Sequence, residues 1–365
     1  MRAALLTSTP GRLDVTDVAI DEPREREVLI RTVSSGLCHS DLHLIDGAYR
    51  VTGADSSSRV LLGHEAAGVV EAVGPRVGQV RPGDHVITFP IQSCGRCDLC
   101  DRGRPTLCER SPGARGPGEP PRLSHEGGPV IQFSNLGAFA EWMLVDESAV
   151  VAIRPDYPFE RAAIIGCGVA TGLGAVLNTA RVRGGASVAV VGLGGVGLAV
   201  VQGAALAGAR RIVAVDNEPA KFALATRLGA TDCVDASATD AVAAVLDVAG
   251  GGVDHAFEAI GLPATMEQSV RMLRRGGVAT FVGVGQGRTV EFDAGLFLYE
   301  RRLQGSLMGS CRLRIDLPRF VELDLAGRLD LGALVESTLR LDEINNGYDA
   351  MRRRTILGRR VVMFG

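Results

Sequence analysis

The stretch SVAVVGLGGVGLAVVQGAALAGARRIVAVD, residues 187–216, decides the fold. Residues 188–191 form a short apolar run, as in a buried strand. The turn Gly192-Leu-Gly194-Gly195-Val196-Gly197 then fits the pattern G-x-G-x-x-G. An apolar helical pattern over 197–207 follows it, and a second strand over 211–215 ends at Asp216. Asp216 lies 19 residues after Gly197, about where an acid reaches the ribose of a bound dinucleotide. Strand, glycine turn, helix and acid are in register. Glycines there let the backbone approach a pyrophosphate, and the helix start offers free N–H groups. The Asp216 carboxylate would accept from ribose hydroxyls and repel a 2′-phosphate, and Asn217 offers no offsetting charge, so NAD is favoured over NADP.

The rhythm continues downstream. A helix is expected over 219–228, a strand over 232–234, a helix over 238–249, and strands over 254–258 and 278–284. Alternating β and α of this kind gives an α/β, doubly wound parallel sheet. Upstream, to about residue 165, the texture is mostly β. Runs at 27–33, 66–73 and 85–89 are broken by Gly, Pro and Asp. Residues 109–129, rich in Pro, Gly and Arg, read as a long surface loop.

Within that first part, Cys94, Cys97, Cys100 and Cys108 form the run Cys-x2-Cys-x2-Cys-x7-Cys. Four thiolates at this spacing close a tetrahedral zinc site, which shapes a loop and leaves no position for substrate. Two disulfides would need an oxidising compartment. Residues 1–15 carry no signal-like apolar core, so a cytoplasmic location with reduced thiols is expected. Residues 187–209 are uncharged and long enough to span a bilayer, but six glycines and the strand-like start fit a buried strand, turn and helix better. A net charge of −3 over 365 residues gives no reason to expect nucleic acid or a membrane as partner.

Cys38, His64 and Cys167 each stand in a glycine-flanked context. Cys, His and Cys with one open position is a ligand set for catalytic zinc. They are far apart in sequence, and each alone reads equally well as a core residue.

A resemblance joins them. Gly36-Leu-Cys38-His-Ser40-Asp41-Leu-His43, Gly63-His64-Glu65-Ala-Ala-Gly68, the four-cysteine loop, Gly166-Cys167-Gly168 and the dinucleotide turn occur in one order along essentially the whole chain. In these the chain resembles the zinc-dependent alcohol dehydrogenases of the medium-chain dehydrogenase/reductase superfamily. The resemblance implies a mostly β, GroES-like catalytic domain over 1–167 and 304–365, carrying the structural-zinc loop 94–108, and a Rossmann NAD-binding domain over 168–303. It implies two zinc ions per chain, one catalytic on Cys38, His64 and Cys167, one structural on the four cysteines. Glu65 would act beside the zinc, and Asp41 would orient His64. Ser40 would take the alcohol proton and His43 would pass it to solvent. His39 and Arg360 would meet phosphate, Thr171 the nicotinamide, and Lys221, the only lysine, the ribose. The implied reaction is reversible oxidation of a primary or secondary alcohol to aldehyde or ketone, through a zinc alkoxide, with hydride transfer to NAD. The insertion between Cys108 and Gly137 resembles that of dimeric branches, so a homodimer is expected.

Two alternatives stay open. One is a branch that oxidises thiol adducts of formaldehyde, using an acid six positions past the relay histidine and a basic residue after the cysteine loop. The first position here is Tyr49, while Arg110 and Arg115 could serve as the second. The other is a non-catalytic NAD-binding protein. Phe89, Pro90, Phe139, Trp142 and Leu307 or Met308 are expected to line a pocket for an apolar alcohol.

Overall fold

The computed structural model describes residues 1–365 except 50, 52, 56, 57, 114, 117, 286 and 287. The chain forms two compact units. One comprises Met1–Cys167, Arg312–Leu323 and Val335–Gly365, the other Gly168–Cys311 and Asp324–Leu334.

The second unit holds the expected parallel sheet. Its strands run Asp232–Asp235, Arg211–Asp216, Ser187–Val191, Val253–Glu258, Leu273–Phe281 and Arg302–Gly305 across the sheet. Numbered along the chain that order is 3-2-1-4-5-6, the doubly wound arrangement that places ligands at the carboxyl ends of the strands. All five residues of Ser187–Val191 are buried, as expected for a central parallel strand covered on both faces. The helix Gly195–Leu206 buries nine of its twelve residues. It is apolar nearly all round because it is enclosed nearly all round. Gly197 must be glycine, because a Cβ there would stand 1.7 Å from the Gly192 carbonyl oxygen.

This unit also takes two pieces that the sequence reading gives to the other one. Ser306 and Ser310 share hydrogen bonds with Thr179 at 2.8 and 2.9 Å. Gln202 and Asp330 are joined side chain to backbone, and Leu331 and Leu334 are fully buried. Residues 304–311 and 324–334 therefore pack with this sheet. No local signal of period or turn marks that return.

The first unit is built on two largely antiparallel sheets among the described residues. One centres on the long strand Glu27–Gly36, which pairs with Ala66–Val73, Trp142–Asp146 and Arg359–Met363. The other contains a hairpin, Leu123–His125 with Gly128–Gln132, inside the segment read as a bare loop. Its turn, Glu126-Gly127, has φ of 48° and 75°, the two-residue geometry that suits strand twist. The loop reading missed it because its first strand is only three residues long and its second runs past residue 129.

One helical stretch, Phe159–Ala180, is long and apolar enough by composition to cross a membrane, and 83% of its window is buried inside the protein. It replaces 187–209 as the segment that passes that test. Burial makes it a core helix. It is interrupted by π-turns at Ile165–Val169 and Ala175–Ala180.

Candidate zinc centre and dinucleotide turn

Three segments of the first unit converge on one buried point. Cys38 precedes the helix His39–Ile45, His64 and Glu65 lie between the strands Arg59–Leu61 and Ala66–Val73, and Cys167 sits in the π-turn Ile165–Val169. Such turns widen a helix locally and are common at functional sites. Gly166 allows the approach, since a Cβ there would lie 2.1 Å from the Thr88 carbonyl oxygen. The ligand atoms of Cys38, His64, Glu65 and Cys167 all lie within 4.8 Å of one another, and all four residues are buried.

The surroundings hold that point electrostatically. Asp41, fully buried, accepts from the Gly63 N–H at 2.9 Å and places Oδ2 3.2 Å from His64 Nδ1. Burial would lower the His64 pKa, but the Asp41 carboxylate and Cys38 raise it well above its ordinary value. The Cys38 thiol is drawn well down, first by its hydrogen bond with Cys167 and then by His64 and Arg359. Cys167 is pushed well up by the same bond and by burial. Two sulfurs, an imidazole and a carboxylate gathered this closely form a donor set that fits a zinc ion. Glu65 is pushed up to about 7 by burial, against the pull of Arg359, whose Nη2 donates to Glu65 Oε1.

The second cluster is Cys94, Cys97, Cys100 and Cys108, with Sγ atoms within 4.8 Å of one another. Cys97 and Cys108 Sγ are 3.9 Å apart. That is close to the ~3.8 Å between ligands around a zinc held by bonds of about 2.3 Å. None of these four cysteines is in a disulfide, so the disulfide alternative falls.

In the second unit Asp216 Oδ2 accepts from the Leu193 N–H at 2.7 Å, and Lys221 Nζ reaches both Asp216 oxygens at 3.1 Å. The acid and the sole lysine thus meet at the glycine turn. A Cβ at Gly194 would stand in open space, room that a pyrophosphate can take. Thr171 Oγ1 contacts Met308 Sδ at 3.5 Å.

The remaining expected residues are distributed as follows. Ser40 Oγ is 3.8 Å from Cys38 Sγ. Ser40 and His43 share a face of the helix His39–Ile45, three residues apart. His39 is exposed, with its ring 6.4 Å from that of His43. Arg360 faces Glu336 at 3.7 Å within the first unit. Phe139 is fully buried in the core, edge-on to Tyr348 at 6.2 Å, and so belongs to packing. Tyr49 donates its hydroxyl to the Ser40 carbonyl at 2.9 Å. Two residues were missed. Arg359 is 294 positions from Glu65, and its only signal is an arginine pair opening an apolar terminal strand. Phe133 packs edge-on against the His64 ring at 5.2 Å.

A dinucleotide turn, a closed cysteine cluster and a Cys-His-Cys site together define a zinc-containing oxidoreductase. Residues 24–155 match the alcohol dehydrogenase GroES-like domain and residues 195–324 the zinc-binding dehydrogenase domain. The chain is 39% identical over 360 residues to S-(hydroxymethyl)glutathione dehydrogenase of Haemophilus influenzae, covering 96% of this chain and 94% of that one. It superposes on benzyl alcohol dehydrogenase of Acinetobacter calcoaceticus with a TM-score of 0.92 at 32% identity, covering 100% and 99% of the two chains. An alcohol dehydrogenase zinc-binding domain protein of Burkholderia ambifaria gives a TM-score of 0.92 at 34% identity, covering 100% and 98%. The chain belongs to the zinc-dependent alcohol dehydrogenase family of the medium-chain dehydrogenase/reductase superfamily. It carries a four-cysteine structural zinc site and a catalytic zinc site.

Proposed function

We propose that the protein oxidises an apolar, aromatic primary alcohol to its aldehyde, reversibly and with NAD. The convergence of Cys38, His64, Glu65 and Cys167, with Ser40 beside them, carries this reading. Bound there, zinc supplies a Lewis acid for the substrate oxygen. Ser40 Oγ accepts the alcohol proton. His43, on the same helical face, passes it to solvent. Asp41 fixes the ring of His64. Asp216 and Lys221 would hold the ribose of NAD, which would supply the hydride acceptor. His39 and Thr171 act as further dinucleotide contacts. The domain roles follow, with the first unit catalytic and the second NAD-binding.

The thiol-adduct alternative draws support from the relatives in Haemophilus influenzae and Escherichia coli, each 39% identical. Two residues favour the alcohol instead. Tyr49 places a hydroxyl bound to Ser40 where that branch has an acid. Arg115, one of the two basic residues after the cysteine loop, is consumed by Glu27 and Asp21, which leaves only Arg110 for that role. Phe133 against His64 and the aromatic substrate of the Acinetobacter relative support an aromatic alcohol. The expected location is the cytoplasm. A homodimer is the expected assembly.

The test is NADH formation from benzyl alcohol and from S-(hydroxymethyl)glutathione, side by side. Higher kcat/KM for benzyl alcohol is expected, and the reverse order would transfer the chain to the thiol-adduct branch.

A further inference from the structure

We propose that a basic cleft at the N-terminal ends of the parallel strands is a second anion site, for a diphosphate group. The cleft has a volume of about 880 Å³. Arg181 and Arg183 come from the loop before Ser187–Val191, and Arg210 directly precedes Arg211–Asp216. Arg274 and Arg302 come from the beginnings of Leu273–Phe281 and Arg302–Gly305. Four separate segments thus bring five arginines to the lining of one hollow.

One carboxylate faces them, and it is committed. Asp254 accepts from the Ser187 N–H and hydroxyl, both at 2.8 Å, and pairs with Arg274. Arg181, Arg183, Arg210 and Arg302 form no ion pair among the described residues. Concentrated like charge repels itself, and a bound anion relieves it. Guanidinium forks match phosphate oxygens two at a time. The volume exceeds that of one phosphate and lies in the range of ligand pockets.

His255 also lines the cleft, and its buried Nδ1 has no hydrogen-bond partner. Burial first, then Arg274 and Arg302, hold its pKa below the ordinary value, while Asp254 pulls it up. An anion among the arginines would reverse that field and draw a proton onto His255.

The site is distinct from the dinucleotide turn. Ala186 lines the cleft and Gly192 opens the turn, at opposite ends of Ser187–Val191. At about 3.3 Å per residue the strand separates them by roughly 20 Å. The inference does not depend on which alcohol is oxidised.

The experiment is calorimetric titration of inorganic pyrophosphate into zinc-loaded protein already saturated with NADH, so that the glycine turn is filled. One pyrophosphate per chain is expected, with proton uptake near neutral pH. The double variant Arg183→Ser/Arg302→Ser should weaken binding by about tenfold or more. Arg183→Lys should fall between, and unchanged thermal melting would show that each variant folds. ADP binding no tighter than pyrophosphate would identify a free anion as the ligand, and tighter binding a nucleotide. Either upholds the site. Absence of binding to the NADH-saturated protein, or binding indifferent to the double variant, would overturn it.

Discussion

Arg115 Nη2 donates to Glu27 Oε2 at 2.6 Å in a pair whose side chains are 5% and 7% exposed. Arg122 donates to the other Glu27 oxygen at 2.7 Å, and Arg115 also reaches Asp21. The network pins the segment after the cysteine loop to the start of the central strand. It also withdraws Arg115 from any part in holding a charged substrate.

Replacing Arg115 by Ala should therefore cost stability without moving substrate preference. Breaking a buried pair from one side costs about 3 kcal/mol. Burial pushes the Glu27 carboxyl up, but bonds from Arg115, Arg122 and the Arg24 N–H overcome that and hold it down. A lowered folded pKa gives stability that is present above the ordinary carboxylate value and lost as pH falls through the folded one. Thermal melts should show the gap between wild type and Arg115→Ala narrowing in acid. An equal gap at pH 7 and pH 3 would refute the clamp.

On the proposed reading, Tyr49 tilts the site toward neutral alcohols. Tyr49→Phe removes its bond to the Ser40 carbonyl, worth about 1 kcal/mol, and should lower kcat by about fivefold. Tyr49→Glu should raise the ratio of kcat/KM for S-(hydroxymethyl)glutathione over benzyl alcohol. Steady-state kinetics on both substrates measure this, and an unchanged ratio would remove Tyr49 from specificity.

On the proposed reading, Asp216 sets the coenzyme preference. Asp216→Asn removes the charge that would repel a 2′-phosphate while retaining an acceptor for Leu193. Hydrogen bonds to charged groups contribute about 1.5–3 kcal/mol, so the preference for NAD over NADP should fall by about tenfold to a hundredfold. Comparing kcat/KM for the two coenzymes gives the answer, and a preference that survives would place discrimination elsewhere.

Glu258, fully buried, accepts from the Ile260 and Gly261 N–H groups and the Thr265 hydroxyl through one oxygen, while the other has no partner. Burial raises its pKa despite those bonds. A raised folded pKa means that stability is fully present below the unfolded value and lost as pH rises through the folded one. Glu258→Gln carries no charge, so its melting temperature should gain on wild type between pH 5 and pH 8. A constant difference over that range would contradict a buried charge at this position.

The dinucleotide half was legible because its signals are local. Strand, glycine turn, helix and Asp216 lie within thirty consecutive residues, and each is fixed by backbone geometry. The structural cysteines were legible for the same reason. The Cys38, His64 and Cys167 site was not readable from spacing, because tertiary folding alone brings such distant positions together; resemblance supplied it. The Glu65–Arg359 pair and the Arg115 clamp join residues 294 and 88 positions apart, and no periodicity encodes such a contact. The pocket expectation failed at Phe139 because it lies in an irregular segment before the strand Trp142–Asp146, where no periodicity says which side chains meet the core.

The most direct test of the central claim combines metal and turnover. The protein would be purified without chelator, its zinc counted, and NADH absorbance followed after adding NAD and benzyl alcohol, with Cys38→Ser alongside. Two zinc ions per chain and NADH formation are expected, with one zinc and no turnover in Cys38→Ser. One zinc in the wild type and no NADH, with NAD still bound, would contradict the account and leave a dinucleotide-binding protein with a structural zinc alone.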